Sequence, residues 1–170
     1  MKTQLAGLGP KERRTYFGLL SAVAHADRRL DDGEVTLFAK LVKIHAGHLP
    51  GDPVSDDLRS TTPLPPELAI RLQGSDARFA LYLDAAMMAR ADGMVSDEEV
   101  WLLNGLQRRL SITQDQAVAL CNLSIAALLL EQKRPTQAHA ERQLLTAEAR
   151  LISEDVPSAS VRHVRRFSES

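Results

Sequence analysis

A chain of 170 residues with 44% hydrophobic content is long enough to bury one core, and its single cysteine, Cys121, excludes an intrachain disulfide. The formal net charge of −1 excludes a surface built as a whole to bind nucleic acid. Aromatics are only 4%, and alanine and leucine carry most of the apolar content, which favours helix over strand.

Lys11, Glu12, Arg13 and Arg14 interrupt the N-terminal region before any apolar run, so no secretory signal is expected. Tyr16, Leu19, Leu20 and Val23 have helical spacing, which predicts a helix over 11–26 with Pro10 in its first turn. Asp31 and Glu34 form a capping pair for the next helix, whose core face is Val35, Phe38, Leu41 and Val42 and which ends near Gly47. Residues 49–66 are rich in proline, glycine and acids and read as a linker. A brief helix follows over 67–73, stopped by Gly74.

Ser75 is the expected cap of a long helix to Ala91, with Phe79, Leu83, Ala86 and Met87 facing inward. Ser96-Asp97-Glu98-Glu99 is a full capping box, and the helix after it packs through Val100, Leu103, Leu106 and Leu110. Thr113 with Gln116 caps a helix to Glu131, apolar on most faces near Ala126 to Leu130 and therefore expected at the centre. Its run from Ala117 to Leu130 is broken by Asn122 and Ser124 and falls short of the ~20 residues that span a bilayer. Pro135 opens a last helix to Ile152, with Leu144, Leu145 and Leu151 inward. Cys121, Met87, Met88 and Met94 read as core filler. The tail 153–170 shows no clear pattern and is expected to lack order unless a partner holds it, its Arg162, His163, Arg165 and Arg166 available to an anionic surface or to a partner's acidic groove. The expected fold is an all-α bundle of about six to seven helices: one domain over 1–152, with repeat one at 11–48, repeat two at 75–111 and C-terminal helices at 113–152.

The repeats are the strongest signal. Ala24-His25-Ala26-Asp27-Arg28-Arg29-Leu30-Asp31-Asp32-Gly33-Glu34-Val35 aligns without a gap on Ala89-Arg90-Ala91-Asp92-Gly93-Met94-Val95-Ser96-Asp97-Glu98-Glu99-Val100. Both have Ala-x-Ala-Asp, a branched apolar residue three positions on, then Asp-x-Glu-Val. Asp31, Asp32, Glu34, Asp97, Glu98 and Glu99 fall at helix starts, where the dipole favours acids by ~0.3–1 kcal/mol each. Asp27 and Asp92 fall at helix C-terminal ends, where a carboxylate is disfavoured. Two explanations stand: their oxygens accept backbone N–H groups of the turn, or the turn acids bind a cation. The candidate metal ligands are thus Asp27, Asp31, Asp32 and Glu34 in the first turn, and Asp92, Asp97, Glu98 and Glu99 in the second. All are oxygen donors, which suits calcium or magnesium rather than zinc. An EF-hand is excluded, because counting from Asp27 puts Arg29 and Phe38 at ligand positions, and counting from Asp92 puts Met94 and Leu103 there.

The second copy, through Ala89, Asp92, Gly93, Val95 and Glu99, resembles the Ala-x-x-Asp-Gly-x-[Val/Ile]-x-x-x-Glu signature of the TerB-like family. The first copy matches at Ala24, Asp27, Leu30 and Glu34 but has Arg28 where the family has glycine. The resemblance covers roughly residues 15–115. It implies an all-helical fold, a divalent cation at the acidic turns, and action through protein complexes, often at the membrane, in bacterial tellurite resistance and stress response. It implies no catalytic activity.

Other chemistry is thinly supported. His45 and His48 are expected at a frayed helix end, where zinc binding would lack a nearby cysteine or second histidine pair. No Gly-x-Ser-x-Gly, phosphate-binding loop or His-Glu-x-x-His occurs. The functional expectation is a non-enzymatic, cytoplasmic protein, peripheral to the inner membrane where its partners are. The alternatives are an interaction module whose acids only cap helices, and a hydrolase using Asp92 with Glu99.

Overall fold

The computed structural model describes residues 8–26, 30–46, 64–131 and 137–169, and within them the chain is all-α, with eight helices and no strand. They are α1 (Pro10–Ala24), α2 (Asp32–Ala46), α3 (Pro66–Gln73), α4 (Ala77–Met88), α5 (Asp97–Arg109), α6 (Gln114–Glu131), α7 (Gln137–Ser153) and α8 (Ala159–Glu169). None is long and apolar enough to cross a membrane. Gly47, His48, most of the linker and Pro135 lie outside the described residues.

Local chemistry sets the helix starts. Asp31 Oδ1 accepts the Glu34 N–H at 2.8 Å while Glu34 Oε2 accepts the Asp31 N–H at 3.0 Å. Ser96 and Glu99 repeat this box on α5, and Thr113 with Gln116 repeats it on α6. Ser75 does not cap α4: its hydroxyl turns back to the Leu72 carbonyl, and α4 begins at Ala77 with no side-chain cap.

The centre of the bundle is α4 rather than α6. Every α4 residue except Arg78 is buried, and the helix touches α1, α2, α3, α5, α6 and α8. A helix apolar all round has no solvent face to present, so its neighbours wrap it. Helix α6 lies against α4, α7 and α8 and still exposes Ile125. Leu144 and Leu151 of α7 are buried as expected, whereas Leu145 faces solvent. Met94, read from sequence as core filler, is 73% exposed.

The tail is also corrected. Residues Ala159–Glu169 form a helix that packs on α6, α2 and α4, burying Ser160, Val161, His163 and Val164. Four inward positions within five residues make one helical face, but serine and histidine in two of them hide the apolar period. The outward Arg165 pairs with Glu148 of α7 at 2.9 Å.

The start of α2 lies against the second acidic turn. A Cβ on Gly33 would meet the Ala91 carbonyl oxygen at 3.1 Å, so glycine is what allows the start of α2 this close to that turn. Gly93 holds φ at +90°, a left-handed conformation that the tight second turn needs and that other residues resist.

Candidate functional site

The candidate acids of the turns are divided by the structure into caps and surface groups. Glu34 and Glu99 are buried, each folded back onto the backbone N–H of its own N-cap residue. Asp92 is exposed, and its Oδ1 accepts the Met94 N–H at 2.9 Å. That bond answers why a carboxylate sits at the disfavoured end of its helix. Asp31, Asp32, Asp97 and Glu98 are exposed, and Asp27 lies outside the described residues. Asp97 and Glu98 line a surface groove of about 400 Å³ with Ala26, Trp101 and Leu102. Trp101, the only tryptophan in the chain, is 71% exposed, and Met94, Val95 and Val100 are exposed around the same turn and helix. Glu99, needed by the hydrolase alternative, is occupied at the cap beneath Ser96.

A second constellation lies in the core. Asp84, in the middle of α4, is fully buried and meets a histidine from each of two other helices. Its Oδ2 is 2.6 Å from Nε2 of His45 at the end of α2, and its Oδ1 is 2.6 Å from Nε2 of His163 on α8. The Tyr16 hydroxyl on α1 donates to Oδ2 at 2.5 Å. The two imidazoles stack, with centroids 4.8 Å apart and planes at 19°, and Tyr16 meets His45 edge-on at 5.3 Å. One ligand atom from each of His45, Asp84 and His163 falls within 4.8 Å of the others, the single group of this kind among the described residues.

The electrostatics follow from burial and charge. Burial alone would push the Asp84 carboxyl up, but His163 and then His45 more than offset it and hold it well below the usual carboxylate range. Burial is the leading cause pushing Tyr16 well above its ordinary value, and the Asp84 charge adds to it, so the phenol stays protonated and donates. Burial lowers the His45 imidazole; Asp84 opposes this, while His163 and Arg13 reinforce it. A carboxylate can only accept, so each Nε2 facing it carries the proton. The Nδ1 of neutral His45 is then a bare lone pair, buried and without a hydrogen-bond partner among the described residues.

None of these three residues was among the metal ligands expected from sequence; His45 was considered there only with His48, as a thinly supported zinc pair at a helix end. His45 is 3% exposed rather than frayed, and His163 belongs to the region expected to lack order. The available signal was Asp84 itself, a lone acid inside Phe79–Met88, which is otherwise entirely apolar. A charge so placed demands partners.

No family model, curated protein or solved structure matches the chain.

Proposed function

We propose that this chain is a non-enzymatic, TerB-like stress-response module that works by docking a protein partner at the groove beside its second acidic turn. The observation that carries the reading is the exposed Trp101, which lines that groove with Ala26 and Leu102 and with Asp97 and Glu98 beside them. Tryptophan is enriched among the residues that dominate binding energy at interfaces, and an apolar centre with a charged edge is the usual anatomy of such a surface. The carboxylates favour a partner that brings basic residues to the rim. The duplicated Ala-x-Ala-Asp turn supports the family reading, and the capping roles of Glu34 and Glu99 favour an interaction surface over acid–base chemistry there. The partner is cytoplasmic or sits at the inner face of the membrane.

The test is a deletion strain challenged with tellurite and other stresses, complemented by the wild-type chain, Trp101→Ala, or Asp97→Lys with Glu98→Lys. Sensitivity on deletion, rescued by wild type and not by the groove variants, is the expected pattern. Full rescue by both groove variants, at equal protein level, would overturn the docking site. A photo-crosslinker at position 101, with one at exposed Ile152 as control, identifies the partner.

A further inference from the structure

Asp84 raises a question that partner docking does not answer. A buried carboxylate is expensive, and well-packed apolar residues in place of a buried ionic cluster are often as stable or more so. Four helices nevertheless deliver polar groups to this point: Tyr16 from α1, His45 from α2, Asp84 from α4 and His163 from α8.

We propose that His45, Asp84 and His163 bind a divalent transition-metal ion of the zinc class inside the bundle. The donor set selects the ion. Two imidazoles with one carboxylate suit zinc and its neighbours, whereas calcium and magnesium prefer oxygen throughout. This differs from the calcium or magnesium expected at the acidic turns, because the donors are different.

The spacing is compatible. Bonds of about 2.0–2.2 Å at tetrahedral angles place ligand atoms about 3.3 Å apart. Asp84 holds each Nε2 at 2.6 Å, one on each carboxylate oxygen, and one donor atom from each of the three residues lies within 4.8 Å of the others, so reaching that spacing takes movements of about 1.5 Å or less. The surroundings support the site as well. The Tyr16 hydroxyl on Oδ2 orients the carboxylate, as hydrogen bonds to metal-binding carboxylates do. His45 offers one ring nitrogen to Asp84 and keeps the other, Nδ1, buried with no partner among the described residues. An ion at this point takes the place of the Nε2 proton facing Asp84, and the imidazole proton moves to Nδ1, which gives the neutral tautomer of a histidine ligand. Ser160, one turn before His163 on the same face of α8, likewise has a buried hydroxyl oxygen with no partner among the described residues.

Such an ion would pin α2 and α8 to α4. It would act as a structural fastener and bring the last helix under metal control.

The experiment uses the full chain, stripped with a chelator and titrated separately with zinc, cobalt, calcium and magnesium chlorides. Expected results are one zinc per chain by elemental analysis after gel filtration, visible absorption of four- or five-coordinate cobalt(II), and a melting temperature raised by about 5 °C or more by zinc. Calcium and magnesium should do neither. His163→Gln and Asp84→Asn should abolish stoichiometric zinc, while Glu98→Gln in the acidic turn should keep it. If the core variants fail to fold by circular dichroism, cobalt(II) on the wild-type chain decides: intense bands displaced by zinc uphold the site. Absence of stoichiometric zinc and cobalt from folded wild type, or zinc retained by folded His163→Gln, overturns it.

Discussion

Asp84 and His163 stand 79 positions apart in the chain and meet in the core at 2.6 Å. That contact ties α8 to α4, and its counterpart at His45 ties α2 to the same carboxylate. Its energetic character is testable without metal. Replacing Asp84 by asparagine in chelator-treated protein keeps the shape but removes the charge that both imidazoles face, and turns one acceptor into a donor. Loss of one member of a buried ionic cluster costs about 3–5 kcal/mol. Urea unfolding should report a destabilisation of that size. An apolar triple replacement, Asp84→Leu with His45→Leu and His163→Leu, made together with Tyr16→Phe because the Tyr16 hydroxyl donates to Asp84, should recover most of it, since the polar groups of the cluster are then removed together. A combined variant less stable than Asp84→Asn would refute this.

The same cluster sets an acid limb on stability. Burial lowers His45 below its ordinary value, and His163 and His45 lower Asp84. For both groups the folded pKa lies below the unfolded one, so the unfolded chain takes up the proton first as pH falls. Each contribution is therefore complete above the unfolded value, about 6.5 for histidine and about 3.9 for aspartate, and is lost as pH drops through the folded value. Chelator-treated protein should lose stability from about pH 6.5 downward, with a limiting slope of about 1.4 kcal/mol per unit for His45 alone. Urea midpoints between about pH 7.5 and about pH 4.5 measure it. The His45→Gln variant should lose that slope, which separates this residue from other histidines, and an unchanged slope would show that His45 does not titrate differently on folding.

The helices were legible because their signals are local. Capping pairs such as Ser96 with Glu99, the apolar period of α1 and Gly74 after α3 each act within a few residues, and the structure follows them closely. The centre of the bundle was harder to read: α6 has the longest apolar run, but α4 is the helix that its neighbours enclose, and that depends on how distant segments pack. The core cluster was illegible for the same reason. His45 and His163 look like surface histidines until α2 and α8 are docked, and only Asp84 carried a warning, as the one charge in an apolar stretch. The acidic turns drew the functional reading because they repeat, yet their repetition is largely that of a capping motif.

Helix α8 should be a contributor to stability rather than an appendage. It buries Val161 and Val164 and carries His163. Stopping the chain after Val156 removes this apolar area, at about 25 cal/mol per Å², and exposes the face of α6 and α4 beneath it. The truncated chain should melt at least several degrees lower and bind a hydrophobic dye that the full chain excludes. Unchanged melting and no dye binding would mean that α8 does not pack in solution.

Trp101 should separate function from stability. At 71% exposure it gives the core little, so Trp101→Ala should alter stability by no more than about 0.5 kcal/mol. As the only tryptophan it is also its own probe. Its emission should be that of a water-exposed indole in the free protein and shift to the blue when the partner covers the groove. A blue-shifted emission in the free protein, or a large loss of stability in the alanine variant, would argue that this residue is structural.

The caps give the last prediction, and it discriminates between two serines. Ser96 Oγ accepts the Glu99 N–H at 3.2 Å, and its own N–H is held by Glu99. Asp31 makes the same exchange with Glu34 at the first turn. Alanine at either position leaves first-turn donors unsatisfied and should cost about 1 kcal/mol. Ser75, which has the same look in sequence, makes no cap in the structure, since its hydroxyl donates to the Leu72 carbonyl. Ser75→Ala should therefore stay within about 0.5 kcal/mol of wild type. Urea midpoints for the three variants decide the matter: equal losses at Ser75 and Ser96 would mean that α4 starts at its sequence-predicted cap and not at Ala77.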